Sequence, residues 1–149
     1  MKFLLSLLIL FLSILLEHTF LPKNFLPFIY LNISTLTFLS ILLYLPHTFF
    51  WTTIFIGLFK DTLNYSPLGT HILTFFILAF FIKNLSKFIL KDNLFVKLLY
   101  ALVATVIVSL IPQIVEEYSN IALEIIFKKI IVNSIFFPLW AKILSGIIK

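Results

Sequence analysis

Long apolar runs separated by short polar breaks fill almost the whole chain. A helix that crosses a membrane needs about 20 residues at 1.5 Å each. The runs predict six such spans, at residues 3–21, 25–45, 47–63, 67–83, 95–112 and 121–147. The longest polar stretch, residues 112–120, is too short to fold alone. The pattern therefore predicts an all-α polytopic membrane protein: one integral membrane domain over residues 1–149, folded as a compact bundle of about six transmembrane helices.

Composition agrees with lipid as the surrounding solvent. Of the 149 residues, 62% are hydrophobic and only 11% are charged, whereas a soluble domain has about 25% charged residues. The chain has no cysteine, which excludes disulfides and thiolate catalysis. The segment after the first apolar run, Glu17 to Phe20, offers no small-residue cleavage site, so we interpret that run as an uncleaved first span.

Lysine placement predicts the orientation. Four of the eleven lysines, Lys83, Lys87, Lys91 and Lys97, lie between the fourth and fifth spans. The positive-inside rule places that loop, and with it both termini, in the cytoplasm of a bacterial inner membrane. Because the lysines follow the ends of apolar runs, the net charge of +5 indicates topology and not nucleic-acid binding.

Three of these lysines recur every four residues, so a continuing helix would place Lys83, Lys87 and Lys91 on one basic cytoplasmic face. One interpretation is a loop that only sets topology. The other is a docking surface for a cytoplasmic partner or for anionic membrane lipid.

The segment that joins the third and fourth spans concentrates glycine, proline and ionisable residues in an otherwise apolar chain. Its notable members are Gly57, Lys60, Asp61, Ser66, Pro67, Gly69 and His71. Gly57 and Asp61 share a helix face, on which a glycine lets another helix approach closely. Ser66 and Pro67 suit the N-cap and first position of the fourth helix. The free N–H groups of that helix start could donate to Asp61.

Two interpretations of this segment stay open. In the structural one, Asp61 ties the hairpin together and the glycines permit tight packing. In the functional one, Asp61 and His71 are polar members of a pocket or partner site at membrane depth. We also expect Asn133, within the sixth span, to bond to a neighbouring helix. The faces around Gly57–Asp61 and Asn133–Ser134 are the predicted surfaces for contact with other membrane proteins.

The pattern Gly57-x-x-x-Asp61 followed by Ser66-Pro67-x-Gly69-x-His71 resembles the signature of the rod shape-determining protein MreD family. The basic break at residues 83–97 and the last span, with its Asn and Pro, are similar too. The family often has Leu where this chain has Lys60, and arginines where this chain has only lysines.

The resemblance implies a non-enzymatic scaffold of the bacterial elongation machinery, which supports cell shape and peptidoglycan synthesis. Its implied partners are an MreC-like bitopic protein and, indirectly, the actin-like MreB and the wall synthases. The fold also resembles the substrate-binding membrane components of energy-coupling-factor transporters. A small-molecule-binding transporter component is therefore the alternative function. The three histidines show no metal-ligand spacing, and neither metal nor cofactor is expected.

Overall fold

The computed structural model describes residues 2–20, 30–86, 93–115 and 123–148, and in these ranges the chain is helical with no strand. The α-helices are α1 (Lys2–Leu15), α2 (Ile33–Tyr44), α3 (Phe49–Leu63), α4 (Thr70–Leu85), α5 (Leu94–Val115) and α6 (Leu123–Ile148). A π-helical turn, Leu16–Phe20, extends α1, and a 3-10 turn, Pro46–Thr48, precedes α3. The predicted all-α class is confirmed.

Three of the described helical segments are long and apolar enough to cross a membrane: Lys2–Thr19, Leu94–Val115 and Leu123–Ile148. A fourth crossing is possible if α2 and α3, which meet at an angle of 116°, are counted as one broken span. The helix starts at Ile33 and Thr70 make α2 and α4 shorter than the apolar runs that contain them. The described residues thus form six α-helices, while six full crossings stay a prediction.

Helix α2 lies at the centre of the bundle. Its eleven residues Ile33–Leu43 are all buried, and the helix contacts each of the other five. A helix that is covered on every side shows no apolar stripe. Thr37 shows how a hydroxyl is accommodated there: its Oγ1 donates to the Ile33 carbonyl at 2.9 Å and accepts from the Trp140 indole of α6 at 3.0 Å. The buried Thr35 hydroxyl, by contrast, has no hydrogen-bond partner among the described residues.

Three lysines lie together at one end of the bundle. Lys83, near the end of α4, lies over the Phe49 ring at 4.4 Å. Lys97 of α5 and Lys142 of α6 line one cavity with Tyr44 at the end of α2. These residues define the basic end of the bundle. Its assignment to the cytoplasm follows from lysine asymmetry and stays a prediction.

Helices α3 and α4 form a tight hairpin around Gly57. A Cβ atom placed on Gly57 would lie 2.5 Å from the Ile72 Cα and 2.7 Å from its backbone nitrogen. Because these are backbone atoms of α4, they cannot rotate away as the end of a side chain would. The close helix approach predicted at Gly57 is confirmed.

Alanine at Gly57 should destabilise the protein by about 2 kcal/mol, because even a methyl group there forces α3 and α4 apart. The midpoint of unfolding in a denaturing-detergent titration measures the effect. Gly146→Ala is the matched control. Nothing lies within 4 Å of a Cβ at Gly146, and alanine favours the helix, so the control should be neutral or slightly stabilising. Equal midpoints for the two variants would contradict the close packing.

Candidate functional site

Asp61 caps the start of α4 from the last turn of α3. Its carboxylate is 1% exposed. Oδ2 accepts from the Gly69 N–H at 2.7 Å, and Oδ1 accepts from the His71 N–H at 2.8 Å. These are two of the N–H groups that a helix start leaves without a partner, and they carry the positive end of the helix dipole. The prediction that Asp61 binds this helix start is confirmed.

The prediction that Ser66 caps the fourth helix and that Pro67 opens it is wrong. Helix α4 begins three residues later, at Thr70, and Gly69 precedes it with a left-handed φ of 104°. Pro67 accepts from the Thr70 N–H at 3.1 Å, and Ser66 donates its own N–H to the Asp61 carbonyl at 3.1 Å. The carboxylate of Asp61 takes the role expected of the serine, since it reaches the helix start from the neighbouring helix.

His71 completes the same cluster. Its Nδ1 lies 2.9 Å from Asp61 Oδ1, and its Nε2 lies 3.3 Å from Asn64 Nδ2. Through its two ring nitrogens, His71 thus bridges the Asp61 carboxylate and the Asn64 side-chain amide. Asp61, Asn64, Gly69 and His71 form what we call the hairpin clasp, since together they close the α3–α4 turn.

A second polar centre lies beside the first and was not predicted. Glu17, in the π-helical turn after α1, accepts from Lys60 Nζ at 2.6 Å through one carboxylate oxygen. The other oxygen accepts from the Ser34 N–H at 2.9 Å and from the Ser34 hydroxyl at 2.6 Å. Because Ser34 lies in the first turn of α2, Glu17 caps α2 as Asp61 caps α4.

Lys60 and Asp61 are adjacent in sequence, yet each belongs to a different centre. Their side chains have different partners, so the two neighbouring charges do not pair with each other. Lys60 is 5% exposed and turns toward Glu17, 43 positions earlier in the chain. The available signal was a lysine inside an apolar helix, which requires a partner. The spacing along the chain did not indicate which partner.

Asn133 forms hydrogen bonds on the other side of the α2 start. Its Oδ1 accepts from the Asn32 N–H at 3.0 Å, and its Nδ2 donates to Thr105 Oγ1 of α5 at 3.2 Å. The expected bond between Asn133 and a neighbouring helix is confirmed. One fully buried amide thus links α6, α5 and the residue that precedes α2.

Both helix starts lie opposite the basic end of the bundle, which was defined by Lys83, Lys97 and Lys142. Helix α2 runs for twelve residues from the Glu17 centre to Tyr44, a length of about 18 Å. Largely buried ionisable groups are stable only when they are paired, and both carboxylates are.

The predicted basic face is described only at one of its members. Lys83 lies at the end of α4, while Lys87 and Lys91 lie outside the described residues. Whether the three lysines share a helix face stays a prediction. In the faces predicted for partner contact, Gly57, Asp61 and Asn133 are buried against helices of this chain, while Ser134 is partly exposed. That these faces receive another protein stays a prediction.

Glu17→Gln should destabilise the protein by about 3 kcal/mol, because it leaves Lys60 buried without its counter-charge. The midpoint of unfolding in denaturing detergent reports this loss. Glu124→Gln is the matched control. Glu124 also bonds to a lysine, Lys128, at 2.6 Å, but its side chain is 80% exposed against 16% for Glu17. An exposed pair contributes little, so the control should leave the midpoint unchanged. A Glu17→Gln variant as stable as the control would contradict the structural role of the pair.

Comparisons with protein-family models, with curated proteins and with solved structures find no match to this chain. A function is therefore inferred from the residues themselves and from their arrangement.

Proposed function

We propose that the protein is a non-enzymatic membrane scaffold of the bacterial elongation machinery, of the MreD type. The observation that carries the proposal is the hairpin clasp. Gly57, Asp61, Gly69 and His71 belong to the pattern that resembles MreD, and they meet in one unit that fixes α3 against α4. A pattern that serves the architecture suits a protein whose task is to present rigid helices to other membrane proteins.

The bonding of the clasp favours a structural task for its polar atoms. Both oxygens of Asp61 are engaged by Gly69 and His71, and both ring nitrogens of His71 have partners. The short loop between α3 and α4, which the clasp closes, is exposed: Tyr65 is 96% exposed and Leu68 is 82% exposed. That loop and the outward helix faces are the surfaces that a partner can reach.

The proposed principal partner is a bitopic protein of the MreC type, bound mainly through its transmembrane helix. Two outward ridges with four-residue spacing offer matching surfaces, because such ridges pack into the grooves of another helix. The first ridge consists of Leu4, Leu8 and Leu12 on α1 and continues to Leu16 in the π-helical turn. The ridge on α6 consists of Ile131, Ile135, Leu139, Ile143 and Ile147.

The scaffold is favoured over a small-molecule-binding transporter component by the position of α2. A ligand held inside a helical bundle needs space between the helices. In the described part of the chain, the middle of the bundle is occupied by the buried residues Ile33–Leu43. A ligand held at the middle of the bundle would require α2 to move and thereby to break its caps at Glu17 and Asn133.

Co-purification with an MreC-like bitopic protein from mild detergent tests the proposal. We expect the tagged chain to retain the full-length partner. Exchange of the partner's transmembrane helix for an unrelated span should abolish retention, while exchange of its outer domain should not. Efficient capture of the outer domain alone would contradict intramembrane recognition, and failure to retain the full-length partner would contradict the proposed function.

Alanine substitution of one ridge at a time identifies the contact surface. We expect the loss of one ridge to lower retention at least tenfold, with the other ridge serving as its matched control. Both variants keep the hairpin clasp and the Glu17 centre. Full retention by both would show that the partner helix binds neither ridge.

A further inference from the structure

A cavity of about 340 Å³ lies at the basic end, where α2 ends, α5 begins and α6 approaches its end. Its polar lining comes from Lys97 of α5, from Lys142 and Ser145 of α6, and from Tyr44 of α2. Leu94 and Leu139 also line it, and both side chains are exposed on the outside of the bundle. The cavity is therefore open to the surroundings of the bundle and has partly buried Lys97 and exposed Lys142 beside apolar side chains.

The two lysines lie away from the described carboxylates. Glu17 is held by Lys60, Asp61 is held by His71, and Glu124 is held by Lys128. None of these acids is among the cavity-lining residues. Within the described ranges, the cavity is thus a site of positive charge without a matching protein carboxylate, and its chemistry favours an anion.

We propose that this cavity binds the phosphate headgroup of an anionic phospholipid. Lys97 and Lys142 approach from two helices and can each donate to the phosphate, while Leu94 and Leu139 lie where the acyl chains begin. A volume near the lower limit for ligand sites, about 300 Å³, suits a headgroup and leaves the chains outside. Basic pockets between membrane helices at the cytoplasmic side bind phospholipid headgroups in this way.

A lipid bound at this site would link α2, α5 and α6 at the basic end of the bundle. Hydrogen bonds already link these helices at the opposite end. The Glu17 centre and Asn133 tie α1, α2, α5 and α6 together around the α2 start. The cavity is lined by the opposite end of α2 and by α5 and α6. A bound headgroup would stabilise the basic end by neutralising the two lysines. The inference does not depend on the proposed scaffold function.

The test measures thermal unfolding of the purified full chain in zwitterionic detergent, with and without phosphatidylglycerol added to the micelles. We expect phosphatidylglycerol to raise the midpoint by several degrees and phosphatidylcholine to leave it unchanged. The double variant Lys97→Gln/Lys142→Gln should lose most of the rise. The double variant Lys97→Arg/Lys142→Arg keeps the charge and should keep the rise, which separates lost binding from poor folding.

Lys2→Gln/Lys83→Gln is the matched control, since it removes the same charge without altering a lining residue of the cavity. Loss of the rise in this control to the same extent would show that general surface charge is responsible and would overturn the site. So would an unchanged rise in Lys97→Gln/Lys142→Gln, or no rise in the wild type. An equal rise of the unfolding midpoint with inorganic phosphate alone would show that the site binds free phosphate and would overturn the proposed lipid.

Discussion

The structure depends on how helix starts are satisfied where water is scarce. The first turn of a helix exposes N–H groups that hydrocarbon cannot bind, and each such group costs several kcal/mol if it is left alone. Helices α2 and α4 begin inside the bundle. Each start is bound by a carboxylate from the preceding helix: Glu17 for α2 and Asp61 for α4. The negative charge also complements the positive end of the helix dipole.

This constraint explains why the charged residues of an apolar chain are found where they are. Asp61 must be buried to reach α4, and His71 then occupies its remaining hydrogen-bonding capacity. Glu17 must be buried to reach α2, and Lys60 then balances its charge. Because Lys60, which binds Glu17, and Asp61 are neighbours on α3, the ends of α1 and α3 and the starts of α2 and α4 are held together. The central position of α2, and with it the packing of α5 and α6, follows from that arrangement.

The sequence was sufficient for features that depend on local spacing. Apolar runs predicted an all-α fold, the Gly57–Asp61 spacing predicted a close helix contact beside a carboxylate, and the nearby helix start predicted the bonds to that carboxylate. Features that depend on distant residues were missed. The pairing of Glu17 with Lys60 joins positions 43 apart, and nothing in their local patterns links them. The predicted cap at Ser66 was wrong because the start of α4 is bound from another helix. The Asp61 carboxylate is a stronger acceptor than the local serine hydroxyl.

The central claim is that carboxylates on neighbouring helices hold the buried starts of α2 and α4. Backbone hydrogen exchange measured residue by residue in detergent, for the wild type and for Asp61→Ala, tests it most directly. We predict slow exchange at the Gly69 and His71 amides in the wild type, because Asp61 binds both. In Asp61→Ala, exchange should rise at least tenfold at those two amides, while the Ser34 amide and the interior of α6 stay protected. Unchanged protection of Gly69 and His71 in Asp61→Ala would contradict the account, as would a uniform rise across the chain.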